Sequence, residues 1–179
     1  MQPTEIEAKY RLEGPDDHAR LRRRLVALGA REGDTTAEDN QLFDRADRSI
    51  GAVDGVLRLR MLNGGPAGRL TYKGPASRTG ALKQRTELEV AVDDSALTRA
   101  ILEALGYQPT IRYLKQRETW YLQGAEVALD TLVFGWYCEI EGPAEVIPGL
   151  AAALGLSPAS AEPIGYPGLM ARYQASQPP

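Results

Sequence analysis

The chain has 179 residues, of which 43% are hydrophobic and 25% charged, which is typical of one globular domain with a substantial core. The 21 Lys and Arg residues against 24 Asp and Glu residues give a net charge of −3, which argues against broad binding to nucleic acid polymers. Cys138 is the only cysteine and His18 the only histidine, so an intrachain disulfide is excluded and a His-rich zinc site is disfavoured. No apolar run approaches the roughly 20 residues that span a bilayer, and we expect a cytoplasmic protein without a membrane partner.

The first predicted element is a strand over residues 4–12. Charged and apolar residues alternate strictly in it, from Glu5 to Leu12. This period of two places one row of charged side chains on the same face: Glu5, Glu7, Lys9 and Arg11. Such a row suits either a solvated surface strand or one wall of a charged cavity.

The remaining elements follow in chain order. Helices are predicted over residues 16–28, 95–105, 145–154 and 167–173, and further strands over 38–44, 56–62, 69–73, 84–92, 112–121, 125–131 and 136–142. Asp16 is the expected N-cap of the first helix, a surface helix that contains His18, whereas Cys138 is expected to be buried. Residues 63–68 are typical of a hairpin loop, residues 74–80 of a looser connection and residues 174–179 of a disordered tail.

Eight mostly consecutive strands with short turns predict an antiparallel sheet that closes on itself. We therefore expect an α+β protein, in which residues 1–173 form one domain with an eight-stranded antiparallel β-barrel and helices packed outside it. The helices would cover the apolar rows, so the charged rows would line the barrel interior. The alternative is an open sheet with a solvated charged face.

The charged rows have a composition that suits one kind of chemistry. The acidic positions are Glu5, Glu7, Glu87, Glu89, Asp130, Glu139 and Glu141, and the basic positions are Lys9, Arg11, Arg58, Arg60, Lys73, Arg85, Lys115 and Arg117. Carboxylates without His or Cys suit Mg²⁺ or Mn²⁺, while Arg and Lys suit phosphate oxygens. Divalent ions beside a cationic wall are the components of phosphoryl transfer.

Seven motifs in the same order resemble those of the CYTH superfamily, the triphosphate tunnel metalloenzymes that include class IV adenylyl cyclases and thiamine triphosphatases. The resemblance covers roughly residues 4–173. It is carried by Glu5-Ile6-Glu7-Ala8-Lys9, Leu57-Arg58-Leu59-Arg60, Leu70-Thr71-Tyr72-Lys73, Arg85-Thr86-Glu87-Leu88-Glu89, Lys115-Gln116-Arg117, Leu129-Asp130 and Glu139-Ile140-Glu141.

The resemblance implies a tunnel that binds a triphosphate-containing small molecule with Mg²⁺ or Mn²⁺. By that analogy, the metal ligands are Glu5, Glu7, Glu139 and Glu141 with Asp130 nearby, and Glu87 and Glu89 hold a second metal or pair with cations. The phosphate-binding residues are Lys9, Arg58, Arg60, Lys73, Arg85, Lys115 and Arg117. The residues expected to carry catalysis are Glu5, Glu7, Lys9, Arg58 and Arg60.

The family's activities leave alternatives open. The leading expectation is hydrolysis of a linear triphosphate, with class IV adenylyl cyclase and a non-catalytic polyphosphate- or nucleotide-binding module as alternatives. Met1-Gln2-Pro3-Thr4 lacks the His-Phe that precedes the first motif in cyclases, and Val56 stands where animal thiamine triphosphatases have Trp. Gly165-Tyr166 replaces the Ser-Tyr of many relatives, which leaves open whether the last helix closes the tunnel. We expect a monomer or homodimer.

Overall fold

The computed structural model describes residues 4–177. Within them, the strands are β1 Thr4–Leu12, β2 Arg31–Asp44, β3 Val56–Leu62, β4 Gly68–Lys73, β5 Ser77–Thr79, β6 Leu82–Val92, β7 Gln108–Leu122, β8 Ala125–Leu132 and β9 Gly135–Glu141. The α-helices are α1 Pro15–Ala27, α2 Ser95–Ala104, α3 Ile147–Leu154 and α4 Tyr166–Ser176. Among the described residues, no helix is long and apolar enough to cross a membrane.

The sheet closes into an antiparallel barrel, which confirms the predicted fold. Its strands follow the order β1-β9-β8-β7-β2-β3-β4-β6, and β6 returns to pair with β1 from Thr4↔Thr86 to Glu7↔Lys83. The short strand β5 adds to the outside of this order by pairing with the start of β6. The expectation of a loose connection over residues 74–80 was therefore wrong, because Ser77–Thr79 form a strand there.

One side of the barrel carries the main core. Helices α1 and α3 cover β1, β8 and β9, and their buried Leu21, Leu25 and Leu150 belong to the same apolar cluster as Val127 and Ile140. Cys138 is fully buried in this cluster, as predicted. These outer apolar rows leave the charged rows of the same strands to face the interior.

His18 lies on the face of the surface helix α1 that packs against the barrel, and it is buried there. Its side chain is 4% exposed and its Nε2 lies 3.2 Å from the Tyr137 carbonyl oxygen. Burial lowers the pKa of His18. The N-cap of α1 is Gly14 rather than Asp16, and Pro15 occupies the first turn, where a missing N–H costs little.

Helix α2 covers the opposite side only partly. Asp94 caps it by accepting a 2.8 Å hydrogen bond from the Leu97 backbone N–H, and Leu102 is buried with Phe43 and Leu59. The other apolar side chains of this region are exposed to between 48% and 66%: Leu88, Val90, Leu97, Ile101 and Leu105. The expectation that helices cover every apolar row was therefore wrong on β6.

Two connections bear on the interior. The β3–β4 hairpin turns at Asn63 and Gly64, both with positive φ, as the predicted loop requires. At the other end of the chain, α4 continues to Ser176, so residues 174–176 are helical and not part of a disordered tail. Pro178 and Pro179 lie outside the described residues.

Candidate active site

The barrel interior contains a cavity of about 530 Å³, here called the tunnel. Its lining includes basic and acidic side chains in equal numbers. The basic residues are Lys9, Arg58, Arg60, Arg69, Lys73, Lys83, Arg85, Lys115 and Arg117, and the acidic ones are Glu5, Glu7, Asp34, Glu38, Glu87, Glu89, Glu126, Glu139 and Glu141. The alternation of each strand directs these residues inward, so the open, solvated sheet is excluded.

Three carboxylates form a cluster, here called the acidic cluster. One oxygen each of Glu5, Glu87 and Glu141 lies within 4.8 Å of the others. The strand register explains the convergence. Glu5 on β1 lies opposite Arg85 on β6, and Glu87 is two residues after Arg85. On the other side of β1, Glu7 lies opposite Glu141 on β9. These diagonal neighbours on three adjacent strands point to one spot.

The acidic cluster holds more negative charge than its surroundings neutralise. Burial and the charge of Glu5 raise the pKa of Glu141 to about 7, and the same two causes raise that of Glu87. Lys73 donates to Glu5 Oε1 at 2.5 Å and lies 3.2 Å from Glu87. Glu5 Oε2 is buried and accepts no hydrogen bond from the described part of the chain. An orphaned oxygen beside two further carboxylates fits a hard divalent cation, which takes oxygen ligands.

The structure divides the metal ligands expected from the sequence. Glu7 pairs with Lys83 at 2.9 Å. Burial raises the pKa of Glu7, but the charges of Lys83 and Lys73 outweigh burial and lower it to about 2. Glu139 pairs with Arg117 and lies 3.8 Å from Lys9. Glu5 and Glu141 thus share the acidic cluster with Glu87, while Glu7 and Glu139 are ion-paired.

Asp130 is also held by cations rather than by the acidic cluster. It is fully buried behind the tunnel wall and accepts two hydrogen bonds from Arg117, at 2.8 and 2.7 Å. The Tyr166 hydroxyl donates to it at 2.8 Å and Lys115 Nζ lies 3.4 Å away. This arrangement makes Asp130 a counter-ion that fixes Arg117 and Lys115.

Two buried arginines have donors without a hydrogen-bond partner among residues 4–177. These donors are Arg58 Nε, Arg85 Nε and Arg85 Nη1. Two carboxylate oxygens lie at ion-pair distance but beyond hydrogen-bond distance: Glu89 Oε2 is 3.8 Å from Arg58 Nη2, and Glu5 Oε2 is 3.6 Å from Arg85 Nε. Buried guanidinium donors without partners carry a free-energy cost that a bound anion removes.

The comparison with known proteins agrees with this geometry. Residues 3–148 match the CYTH domain family. The chain belongs to this family.

Relatives cover nearly the whole CYTH domain. The protein "Putative adenylate cyclase MJ0240" of Methanocaldococcus jannaschii is 28% identical over 138 residues, which are 76% of this chain and 75% of that protein. The PH1012 protein of Pyrococcus horikoshii superposes with a TM-score of 0.78 at 23% identity, over 93% of this chain and 99% of that one. HpAC1 from Hippeastrum, which is described as having a dominant triphosphatase activity, superposes with a TM-score of 0.69 at 19% identity, over 98% of each chain.

The start of α4, which follows the residues matched to the CYTH domain, lines the tunnel. The Tyr166 ring lies against the tunnel cations, 4.4 Å from Lys9 Nζ and 5.2 Å from Lys115 Nζ. Gly165 and Val56 also line the tunnel, and neither carries a polar side chain. Gly165 in place of Ser therefore does not prevent α4 from docking, because the contacts come from Tyr166.

Sequence reasoning missed several tunnel residues. Glu38, Lys83 and Tyr113 line the tunnel, and Asn40 lies beside Glu38 and Arg60 behind the lining; none of the four was singled out, although all lie in or within one residue of a predicted strand. Glu38 is 3% exposed and Asn40 is fully buried. Glu38 and Asn40 lie in a run of four polar residues, 38–41, so this part of the strand lacks the charged-apolar pattern that identified the other strands. Conversely, Arg11 lies outside the tunnel lining, one step beyond Lys9.

Proposed function

We propose that this CYTH domain is a divalent-metal-dependent hydrolase of a linear triphosphate, either inorganic tripolyphosphate or a triphosphorylated organic compound. The observation that carries the proposal is that one cavity contains both the acidic cluster and buried donors of Arg58 and Arg85 that form no hydrogen bond within the described residues. A simple anion-binding module gains nothing from the acidic cluster. The triphosphatase activity described for HpAC1 supports the same reading.

The cationic side of the tunnel is suited to a chain of phosphates. Arg58, Arg60 and Lys115 project from β3 and β7, while Lys9 and Arg85 project from β1 and β6. A linear triphosphate places non-bridging oxygens along its whole length, so cations on several strands bind it better than one cluster does. Guanidinium forks form paired hydrogen bonds with such oxygens.

The acidic cluster would hold Mg²⁺ or Mn²⁺. Glu5, Glu87 and Glu141 supply hard oxygen donors, and Glu5 Oε2 has no other hydrogen-bond partner. A divalent ion held there would neutralise charge on phosphate oxygens and would make the phosphorus more reactive toward water. We assign metal binding to these three residues. Glu7 and Glu139 are not assigned as metal ligands, because they form ion pairs with Lys83 and Arg117.

The chain's own residues then supply positioning and charge. Arg58 and Arg60 bind the oxygens on which charge develops as the bond to the leaving diphosphate lengthens. Glu7, kept ionised by Lys83, accepts a hydrogen bond from the attacking water. Tyr166 and the packed start of α4 exclude bulk water from that end of the tunnel.

Product identification tests the proposal. The protein is incubated with tripolyphosphate and, separately, with ATP, each with Mg²⁺ and with Mn²⁺. The proposal predicts orthophosphate and diphosphate from tripolyphosphate, with turnover abolished in a folded Glu5→Gln variant and reduced in Arg58→Ala. Full activity of Glu5→Gln would contradict the assignment.

A second candidate function is class IV adenylyl cyclase. The Methanocaldococcus jannaschii relative is named as an adenylate cyclase, which favours this second function. The same incubation separates the two, because a cyclase releases cyclic AMP and diphosphate from ATP and leaves tripolyphosphate intact. Tight, salt-sensitive binding of both compounds without any product would identify a binding module instead.

A further inference from the structure

Glu38 is a carboxylate of the tunnel wall that neither the acidic cluster nor the proposed chemistry uses. It projects inward from β2, and its side chain is 2% exposed. Its Oε1 lies 3.3 Å from Arg60 Nη1 and its Oε2 lies 3.2 Å from Lys115 Nζ. Asn40 Nδ2 donates to Oε2 at 3.3 Å. Glu38 therefore forms ion pairs with two of the cations to which we assign phosphate binding.

Glu38 carries a full negative charge at neutral pH. Burial by itself raises its pKa, but the charges of Lys115 and Arg60 outweigh burial, so the net shift is downward. The two cations are thus partly neutralised before any anion enters. A phosphate that binds Arg60 and Lys115 must share them with an ionised carboxylate at contact distance.

Other residues keep the two cations in place without Glu38. Arg60 Nε donates to Asn40 Oδ1 at 3.1 Å, and Lys115 Nζ lies 3.4 Å from Asp130. The guanidinium of Arg60 keeps a second terminal nitrogen, and the ammonium of Lys115 keeps a third proton. The main consequence of Glu38 is therefore its charge rather than the orientation of its partners.

We propose that Glu38 is an internal counter-anion that competes with substrate phosphate for Arg60 and Lys115 and thereby sets the affinity of the tunnel for anions. This inference rests on the proposed function, since the competing ligand is the triphosphate. A tunnel without this carboxylate would bind triphosphate more tightly, but it would also retain the diphosphate product. Glu38 weakens both and so favours product release.

Calorimetry on two Glu38 variants and a surface control tests the inference. Dissociation constants for tripolyphosphate and diphosphate are measured in a metal chelator, so that binding is read without turnover. Glu38→Gln removes the charge and preserves the shape, and we expect both constants to fall on the order of tenfold, equivalent to about 1.4 kcal/mol. Glu38→Asp keeps the charge and should stay within about twofold of the wild type. Glu103→Gln removes a surface charge from α2 and should change neither constant.

Asn40→Asp gives a complementary result if Glu38→Gln does not fold. It places a second negative charge where Asn40 Oδ1 now lies, 3.1 Å from Arg60 Nε, and we expect weaker binding of both anions. Unchanged or weaker binding in folded Glu38→Gln, or unchanged binding in Asn40→Asp, would overturn the inference. A wild-type protein that binds and hydrolyses tripolyphosphate would still support the proposed function in that case, whereas failure of the wild type to bind it removes both.

Discussion

Replacing Asp130 by Asn removes the central charge of the buried network behind the tunnel wall. Asp130 accepts hydrogen bonds from Arg117 Nε and Nη2 and from the Tyr166 hydroxyl, and it lies 3.4 Å from Lys115. Burial alone raises the pKa of Asp130, but Arg117 and Lys115 lower it by more, so it is ionised in the folded protein. The Asn variant keeps the shape, loses the charge and leaves two buried cations under-neutralised.

The expected cost is about 3–5 kcal/mol in the free energy of unfolding, the range observed when one partner of a buried ion pair is removed. The lower end applies here, because Glu139 still pairs with Arg117 and Glu38 with Lys115. In a chain of this size, each kcal/mol shifts the melting temperature by about 2–4 °C. A loss of about 3 kcal/mol therefore lowers it by roughly 6–12 °C.

The control is Asp39→Asn, which breaks an exposed pair of the same geometry. Asp39 receives two hydrogen bonds from Arg112, at 2.9 and 2.6 Å, and the Arg112 side chain is 64% exposed. An exposed pair contributes about 0–1 kcal/mol. Urea unfolding of both variants provides the measurement. Equal destabilisation by Asp39→Asn and Asp130→Asn would refute the argument that burial gives the Asp130 network its weight.

Three further predictions concern the metal, the pH dependence and the tunnel backbone. Glu87→Gln should raise the Mn²⁺ concentration for half-maximal hydrolysis by about tenfold or more, whereas Glu89→Gln should raise it by less than about twofold. Equal effects would contradict the assignment of the metal to the acidic cluster. Burial lowers the pKa of His18 in the folded protein below its ordinary value of 6.5, so the unfolded chain binds the proton more tightly. Stability should be full above about pH 6.5 and fall below it; a His18→Gln variant whose free energy of unfolding, measured in urea at several pH values, falls as steeply with pH as that of the wild type would refute this. A Cβ on Gly68 would lie 2.2 Å from the Arg60 carbonyl oxygen, so Gly68→Ala should cost about 1–3 kcal/mol and lower kcat/KM for tripolyphosphate; a fully stable, fully active variant would show that β3 and β4 need not approach so closely.

The inward rows of the barrel could be predicted because the period of two depends only on local sequence. Glu5, Glu7 and Lys9 alternate with apolar residues, and Arg58 and Arg60 do the same, so each row was assigned to one face before any strand pairing was known. The partners within the tunnel could not be predicted in this way. They depend on register, which local alternation does not specify across strands distant in sequence.

The acidic cluster illustrates the difference. Glu87 joins Glu5 because β6 closes the barrel against β1, and nothing in either strand's own sequence fixes that register. Glu38 was missed because its strand lacks alternation between charged and apolar residues. The exposed face of α2 was also unpredictable, since Leu97 and Ile101 have the spacing of a buried stripe but are 59% and 52% exposed.

Anomalous diffraction from crystals soaked with Mn²⁺ and tripolyphosphate tests the central claim most directly. The account predicts an Mn²⁺ peak bound by oxygens of Glu5, Glu87 and Glu141, with phosphate density beside Arg58 and Arg60 in the tunnel. An Mn²⁺ peak elsewhere, or tripolyphosphate bound only outside the barrel, would contradict it.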